Sequence, residues 1–178
     1  ISNTRVMTCA GVEQLRAQAV VMDVKAVQAL EARIAASGTS LETLMRHAGG
    51  ALAENVHANI AEGGRVLIFA GMGNNGGDGW VCGYELARLG YDVTLVTPGL
   101  AEDIKAHPAR EVALNTFGEA AREALPLSVL INPDNRIVIE KLTTCDAVVD
   151  ALLGTGFAGD QVREPQSTWI TLANARRF

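Results

Sequence analysis

A chain of 178 residues suits one domain with enough sequence to bury a core. Its 48% apolar and 20% charged residues are an ordinary globular balance, and a formal net charge of −5 argues against a general nucleic-acid or acidic-membrane surface. No apolar run is long enough to span a bilayer and no secretory leader is visible, while the opening Ile1 suggests an excised or processed piece. Cys9, Cys82 and Cys145 are widely spaced and form no CxxC, which fits reduced thiols in a cytoplasmic protein better than a disulfide frame or a zinc site. His47, His57 and His107 show no metal-binding spacing.

Residues 10–19 carry apolar side chains at helical spacing, and Asp23 is placed to cap a helix over 24–37 that Gly38 ends. Ser40 is the expected N-cap of a third helix, with Glu42 in its first turn and Leu41, Leu44, Met45, Ala48 and Leu52 at three- and four-residue steps. The pair Gly49-Gly50 weakens that helix by about 1 kcal/mol per glycine relative to alanine, and marks close packing of another backbone rather than a break. The continuous apolar run RVLIFA, 65–70, is expected as a strand buried on both faces. A glycine-rich turn over 71–79 follows, then a helix over 80–89 closed by Gly90. Residues 92–96 form the next strand, ended by Pro98-Gly99, and 107–125 a helix. Residues 128–131 are a third strand, after which the chain either makes a hairpin around Asn132-Pro133-Asp134-Asn135 or runs into an irregular edge. A further apolar run over 146–152 and a final helix over 167–178 complete a doubly wound α/β pattern.

In such sheets ligands bind beyond the carboxyl ends of the strands, where helices depart to opposite faces. Both glycine turns, 71–79 and 154–156, sit at carboxyl ends, so folding should bring them together. The spacing Gly71-x-Gly73-x-x-Gly76 satisfies a dinucleotide fingerprint. Backbone N–H groups there favour an anion, and Gly76 and Gly77 either let a ligand approach or allow a left-handed turn. Asn74 and Asn75 offer amides suited to a carboxamide, a ribose hydroxyl or a hard cation, and Asp78 is either the N-cap of the next helix or a ligand contact. A hydride-transfer enzyme would want an acidic residue at the end of the second strand, but that strand ends in Thr97-Pro98, and no Walker lysine follows the turn. Asp150, near the end of a buried strand, is costly unless paired or bonded. It is either a structural carboxylate accepting loop N–H groups or a general acid/base or metal ligand.

The combination of AGMGNNGGDG with VVDALLGTG, behind LMRHAGGALAENV, resembles the NAD(P)H-hydrate epimerase family, also called the YjeF N-terminal domain. The likeness covers residues 21–178, leaving 1–20 as an N-terminal extension expected to be helical. It implies a three-layer αβα, Rossmann-like, mostly parallel sheet with a helical N-terminal segment. It also implies an isomerase that interconverts the R and S epimers of hydrated NADH or NADPH, with a bound potassium ion. Carried over by motif, Asn74, Asn75, Gly76, Gly77 and Asp78 contact substrate, as do Gly154, Thr155, Gly156, Phe157, Ala158, Gly159 and Asp160. Asn75 and Asp150 are the implied potassium ligands, and Asp150 is the candidate catalytic residue. The family pattern differs at Arg46, where an acidic residue is usual, and at Tyr84, where arginine is common; Trp80 and Phe157 are bulkier than expected.

The family continues into a strand with an Asp and a Ser that complete the site, so the domain is expected to be truncated at Phe178. Implied partners are the small-molecule hydrates, a fused dehydratase domain and a second copy in a homodimer, with no nucleic acid and no membrane. The competing reading is a non-catalytic nucleotide-binding or scaffold module of the same fold. Asn75, Asp78 and Asp150 together favour the enzyme.

Overall fold

The computed structural model describes residues 5–7 (backbone only), 29, 33, 38–157 and 159–176. The helix expected over 10–19 and Cys9 therefore lie outside the described residues, and of the helix expected over 24–37 only Ala29 and Arg33 are described, both helical. A five-stranded sheet runs in the order β1-β5-β2-β3-β4. Its strands are β1 (Arg5–Met7), β2 (Arg65–Ala70), β3 (Asp92–Thr97), β4 (Leu127–Ile131) and β5 (Ala147–Ala151). The last four are parallel, with Val66 beside Val93 and Ala147, and Val93 beside Leu127. The sequence reading did not anticipate β1, which closes one edge antiparallel to β5 and sets Arg5 opposite Asp150.

Among the described residues, helices α1 (Leu41–His57), α2 (Asn74–Arg88), α3 (Ala109–Arg122), α4 (Asn135–Thr144) and α5 (Gln166–Ala175) cover the two faces. Strand β2 explains the layering. Its residues from Val66 to Ala70 are all buried, as a strand covered on both sides requires. Val66, Ile68 and Ala70 face α1, α2 and α3, while Leu67 and Phe69 face α4 and α5. Each such Leu, Ile or Phe removed from water stabilises the fold by about 1.5–3 kcal/mol. Trp169 of α5, fully buried, lies over Phe69 with ring centroids 5.9 Å apart. The αβα sandwich expected from the resemblance is thus the observed fold.

Local signals place the helix ends. The Ser40 hydroxyl accepts the Thr43 N–H at 3.1 Å and starts α1 as expected. Gly90, at φ +86°, ends α2 in a conformation that side-chain-bearing residues rarely adopt. The Gly49-Gly50 expectation is half met. A Cβ on Gly49 would lie 2.4 Å from Val81 Cβ and 2.6 Å from the Asp78 carbonyl, whereas one on Gly50 meets nothing within 4 Å. Only Gly49 marks the crossing of α1 over α2.

The segment after β4 is neither hairpin nor irregular edge. Asp134 accepts the Arg136 N–H at 2.8 Å and caps α4, whose Val138 and Leu142 are buried one turn apart. A hairpin around Asn132–Asn135 would place Ile137-Val138-Ile139 in a strand. Burial at every fourth residue, with Ile137 and Ile139 41% and 44% exposed, is the helical outcome.

Candidate functional site

Strand order reverses between β2 and β5. From β2 the chain crosses to α2 on one face, and from β5 it leads to α5 on the other. The crevice between their carboxyl ends is the switch point of the sheet, and both glycine turns lie there. Gly71 N–H donates to Ala151 O at 3.0 Å, and Asn75 Nδ2 donates to Leu153 O at 3.2 Å. The convergence expected from the sequence is therefore a pair of direct contacts.

The geometry of the first turn corrects the sequence reading. Helix α2 begins at Asn74, so Asn-Asn-Gly-Gly-Asp forms its opening turns rather than a loop. Gly73 is the N-cap, and Asp78, buried in the second turn, does not cap α2. Gly76 and Gly77 sit in ordinary helical backbone rather than a left-handed turn, and both leave no room for a side chain. A Cβ on Gly76 would lie 1.8 Å from Gly71 O, and one on Gly77 2.3 Å from Met45 Sδ and 3.1 Å from Ala109 Cα. A Cβ on Gly79 would come within 2.9 Å of Ala151 Cβ. These glycines draw the start of α2 down onto the strand ends and in between α1 and α3.

Gly73 is different, since a Cβ there meets nothing within 4 Å. It supplies no side-chain cap, and the first intrahelical bond runs from Gly77 N–H to Gly73 O. The N–H groups of Asn74, Asn75 and Gly76 lie in the first turn, at the positive end of the helix dipole, with Asn74 exposed and Asn75 and Gly76 buried behind it; a helix start of this kind can bind phosphate. Gly73 was legible only as the middle glycine of the fingerprint.

The second turn closes the other side. Gly154 packs so tightly that a Cβ would lie 2.9 Å from Asn75 Cβ. Phe157 N–H donates to Gly154 O at 3.1 Å, making a turn that carries half-buried Thr155 and exposed Gly156. Phe157 itself is 44% exposed, Gly159 and Asp160 are exposed beyond it, and Ala158 lies outside the described residues. Half-buried Asp150 points to the α4/α5 face, the side shared by its neighbour Phe69. Its Oδ1 accepts the Leu152 N–H at 3.0 Å. The structural role weighed for it is therefore real, and it holds the carboxylate at the root of the loop. Sequence reasoning missed the Leu153 carbonyl, for which no signal exists. It also missed Met72, whose sulfur receives the Thr97 hydroxyl at 3.7 Å and whose methyl would lie 3.1 Å from a Cβ on Gly99.

The departures from the family pattern have structural partners. Trp80 meets Phe117 edge-on, with ring centroids 6.1 Å apart. Tyr84 donates to Glu123 at 3.4 Å beneath the Arg88 guanidinium, and Arg46 pairs with Glu42 at 3.2 Å on α1. Burial, with the Asp78 charge in second place, pushes the Cys82 thiol far above its ordinary value, and burial also raises Cys145. For both, burial favours the protonated thiol over the nucleophilic thiolate. Among the described residues no group of three His, Cys, Asp or Glu could hold a metal ion. A cavity of about 380 Å³ between Ile60, Gly64, Cys145, Asp146 and Arg176 lies at the amino ends of the strands, away from both glycine turns.

Residues 41–177 match the family model described as YjeF-related protein N-terminus. The chain is 33% identical over 153 residues to an NAD(P)H-hydrate epimerase of Cenarchaeum symbiosum, which covers 86% of this chain and 67% of that protein. It is 38% identical over 132 residues to the bifunctional NAD(P)H-hydrate repair enzyme Nnr of Methanothermobacter thermautotrophicus, covering 74% of this chain but 24% of that protein. The crystal structure of yeast ynu0 superposes with a TM-score of 0.65 at 25% identity, over 86% of this chain and 64% of the yeast one. The chain thus spans about two thirds of the epimerase and about a quarter of the bifunctional enzyme. By motif, by fold and by similarity to these relatives, the chain belongs to the YjeF-related N-terminal family.

Proposed function

We infer that the protein is an isomerase acting on hydrated NADH and NADPH, interconverting their R and S epimers. The observation that carries this reading is the glycine-capped start of α2 at the switch point. It sets the positive end of the helix dipole behind exposed Asn74 and the open Cβ position of Gly73, beside a loop rooted in a carboxylate. The similarity to relatives named as epimerases and as hydrate repair enzymes supports the choice of substrate.

The substrate carries a hydroxyl on C6, next to the ring nitrogen. The nitrogen lone pair can expel that hydroxyl as water once it receives a proton, leaving a planar cation. Water then adds to the opposite face, loses a proton and inverts the centre. A route through ring opening asks the same of the protein, namely a proton donor and acceptor near C6. We assign that work to Asp150, held in place by the Leu152 N–H. The N–H groups at the head of α2 bind the pyrophosphate, and Asn74, Asn75, Asp78 and the 154–160 loop line the rest of the dinucleotide.

An amide oxygen on Asn75 and a carboxylate on Asp150 form an oxygen donor set that suits a hard monovalent cation, so these two residues would hold potassium. When bound, the ion would offset the negative charge gathered by the carboxylate and the phosphates. A dehydratase acting on one epimer, fused or separate, is the partner whose chemistry needs this step.

The phosphate assignment is tested by Gly73→Asp. The new side chain enters open space and can cap α2, so thermal stability holds or rises by a few tenths of a kcal/mol. Its charge opposes a phosphate, so KM for the hydrate should rise at least tenfold. An unchanged KM in the folded variant would remove the α2 terminus from substrate binding.

A further inference from the structure

A dinucleotide in this crevice meets the carboxyl end of β3 as well. In sheets of this strand order the pyrophosphate lies on the first glycine turn, and an acidic residue ending the next strand takes the ribose hydroxyls. Here that strand is β3, which ends in Thr97 with Pro98 after it. Thr97 does not take that place. It is 1% exposed, its hydroxyl donates to Gly99 O at 3.2 Å, and its carbonyl accepts the Asn132 N–H at 2.8 Å.

The chain beyond the strand supplies what the strand lacks. A single 3₁₀ turn, Ala101–Asp103, brings the Asp103 carboxylate back to Gly99, with Oδ2 3.9 Å from where a Cβ on that glycine would lie. Met72 reaches the same point, its methyl 3.1 Å and its sulfur 3.6 Å from that position. Met72 directly precedes Gly73, the N-cap of α2, so one side chain lies between the helix start and the Asp103 carboxylate. The turn is pinned. Asp103 N–H donates to Leu100 O at 3.0 Å, Arg110 Nε donates to Glu102 O at 3.1 Å, and Ile104 behind them is buried. The Asp103 carboxylate itself is exposed and forms no ion pair among the described residues.

We propose that Asp103 reads the adenosine ribose: its carboxylate accepts the ribose hydroxyls above the Met72 side chain and sets the preference between the two hydrates. This rests on the crevice being a dinucleotide site. Hydroxyls donate to a carboxylate in strong, charge-assisted bonds. The 2′-phosphate of the NADPH form has no proton to give there and sets one negative charge beside another. Half-buried Gly99 leaves the space that a side chain would fill. The hydrate of NADH is therefore the better substrate, and that of NADPH is turned over less well.

Two readouts on the whole chain test it. Steady-state kinetics give kcat/KM for the hydrates of NADH and NADPH. Calorimetry gives the affinities of adenosine 5′-diphosphate and of its 2′-phosphate, and needs no turnover. The wild type should favour the forms without the 2′-phosphate by about tenfold or more, as expected for hydrogen bonds to a charged group. Asp103→Asn should bring both ratios close to one. Glu102→Gln removes a neighbouring charge from the same turn and should leave both at their wild-type values, which separates contact from a diffuse field. Wild-type ratios near one overturn the proposal, as do ratios that Asp103→Asn does not move or that Glu102→Gln moves equally. A binding preference lost in Asp103→Asn without any hydrate turnover leaves this assignment standing and removes the proposed activity. Turnover of both hydrates without preference does the reverse.

Discussion

Asp150 carries two roles that one substitution separates. Its Oδ1 accepts the Leu152 N–H and shapes the start of the second loop, and its charge and proton serve the reaction proposed here. Asparagine keeps an oxygen for the Leu152 N–H but cannot carry a proton at neutral pH. Asp150→Asn should therefore unfold near the wild-type temperature while kcat falls on the order of 10²–10⁴-fold. Thermal unfolding and steady-state kinetics on one preparation check both halves, and a native kcat would remove Asp150 from proton transfer. At this scale the sequence was informative about residue types and poor about reasons. Asn75 and Asp150 were singled out for their chemistry, and both lie at the crevice. Gly76 and Gly77 were singled out for backbone freedom, yet contacts with Gly71 O and Met45 Sδ are what require them. A close approach between distant segments leaves no trace in one segment's composition.

Helix α2 shows why the boundary of the site was misplaced. Two asparagines and two glycines are poor helix formers, so local propensity puts the helix start after them. Tertiary packing reverses that. Met45 of α1, Ala109 of α3 and the ends of β2 and β5 close around the first two turns, and only glycine fits. The same contrast appears within α1 and can be measured. Gly50→Ala enters open space and gains helix propensity, so stability should rise by about 0.5–1 kcal/mol. Gly49→Ala drives a methyl into Val81 and the Asp78 carbonyl and should cost roughly 1–3 kcal/mol. Urea denaturation of the two variants tests the pair. Equal effects would mean that α1 does not cross α2 as described. Helix α4 was missed for a related reason. A short β-branched run imitates a strand, and the deciding clue, Asp134 as a cap followed by Val138 and Leu142 one turn apart, lies in spacing rather than in residue type.

At the scale of the molecule, alternating apolar runs and helical segments were enough for the layer architecture. A strand buried on both faces reads as unbroken hydrophobicity, as β2 does after Arg65, while β3 and β5 are mostly apolar with Thr94 and Asp150 inserted. Strand β4 is equally apolar in sequence but, as the outer strand, only half-buried, and β1 is too short to show any period. The switch point follows from strand order. Two turns widely separated in the chain become one crevice because β2 and β5 are neighbours, with Phe69 beside Asp150 and Ala70 beside Ala151. The central claim is that this crevice turns over a hydrated dinucleotide, not that it merely binds one. The direct test supplies an R and S mixture of hydrated NADH with a dehydratase specific for the S form, and follows consumption of the R form with and without the chain. The account predicts loss of the R form faster than its spontaneous epimerisation, in proportion to added protein. Loss at the spontaneous rate, with protein that is folded by circular dichroism, would contradict it and leave a nucleotide-binding module in its place.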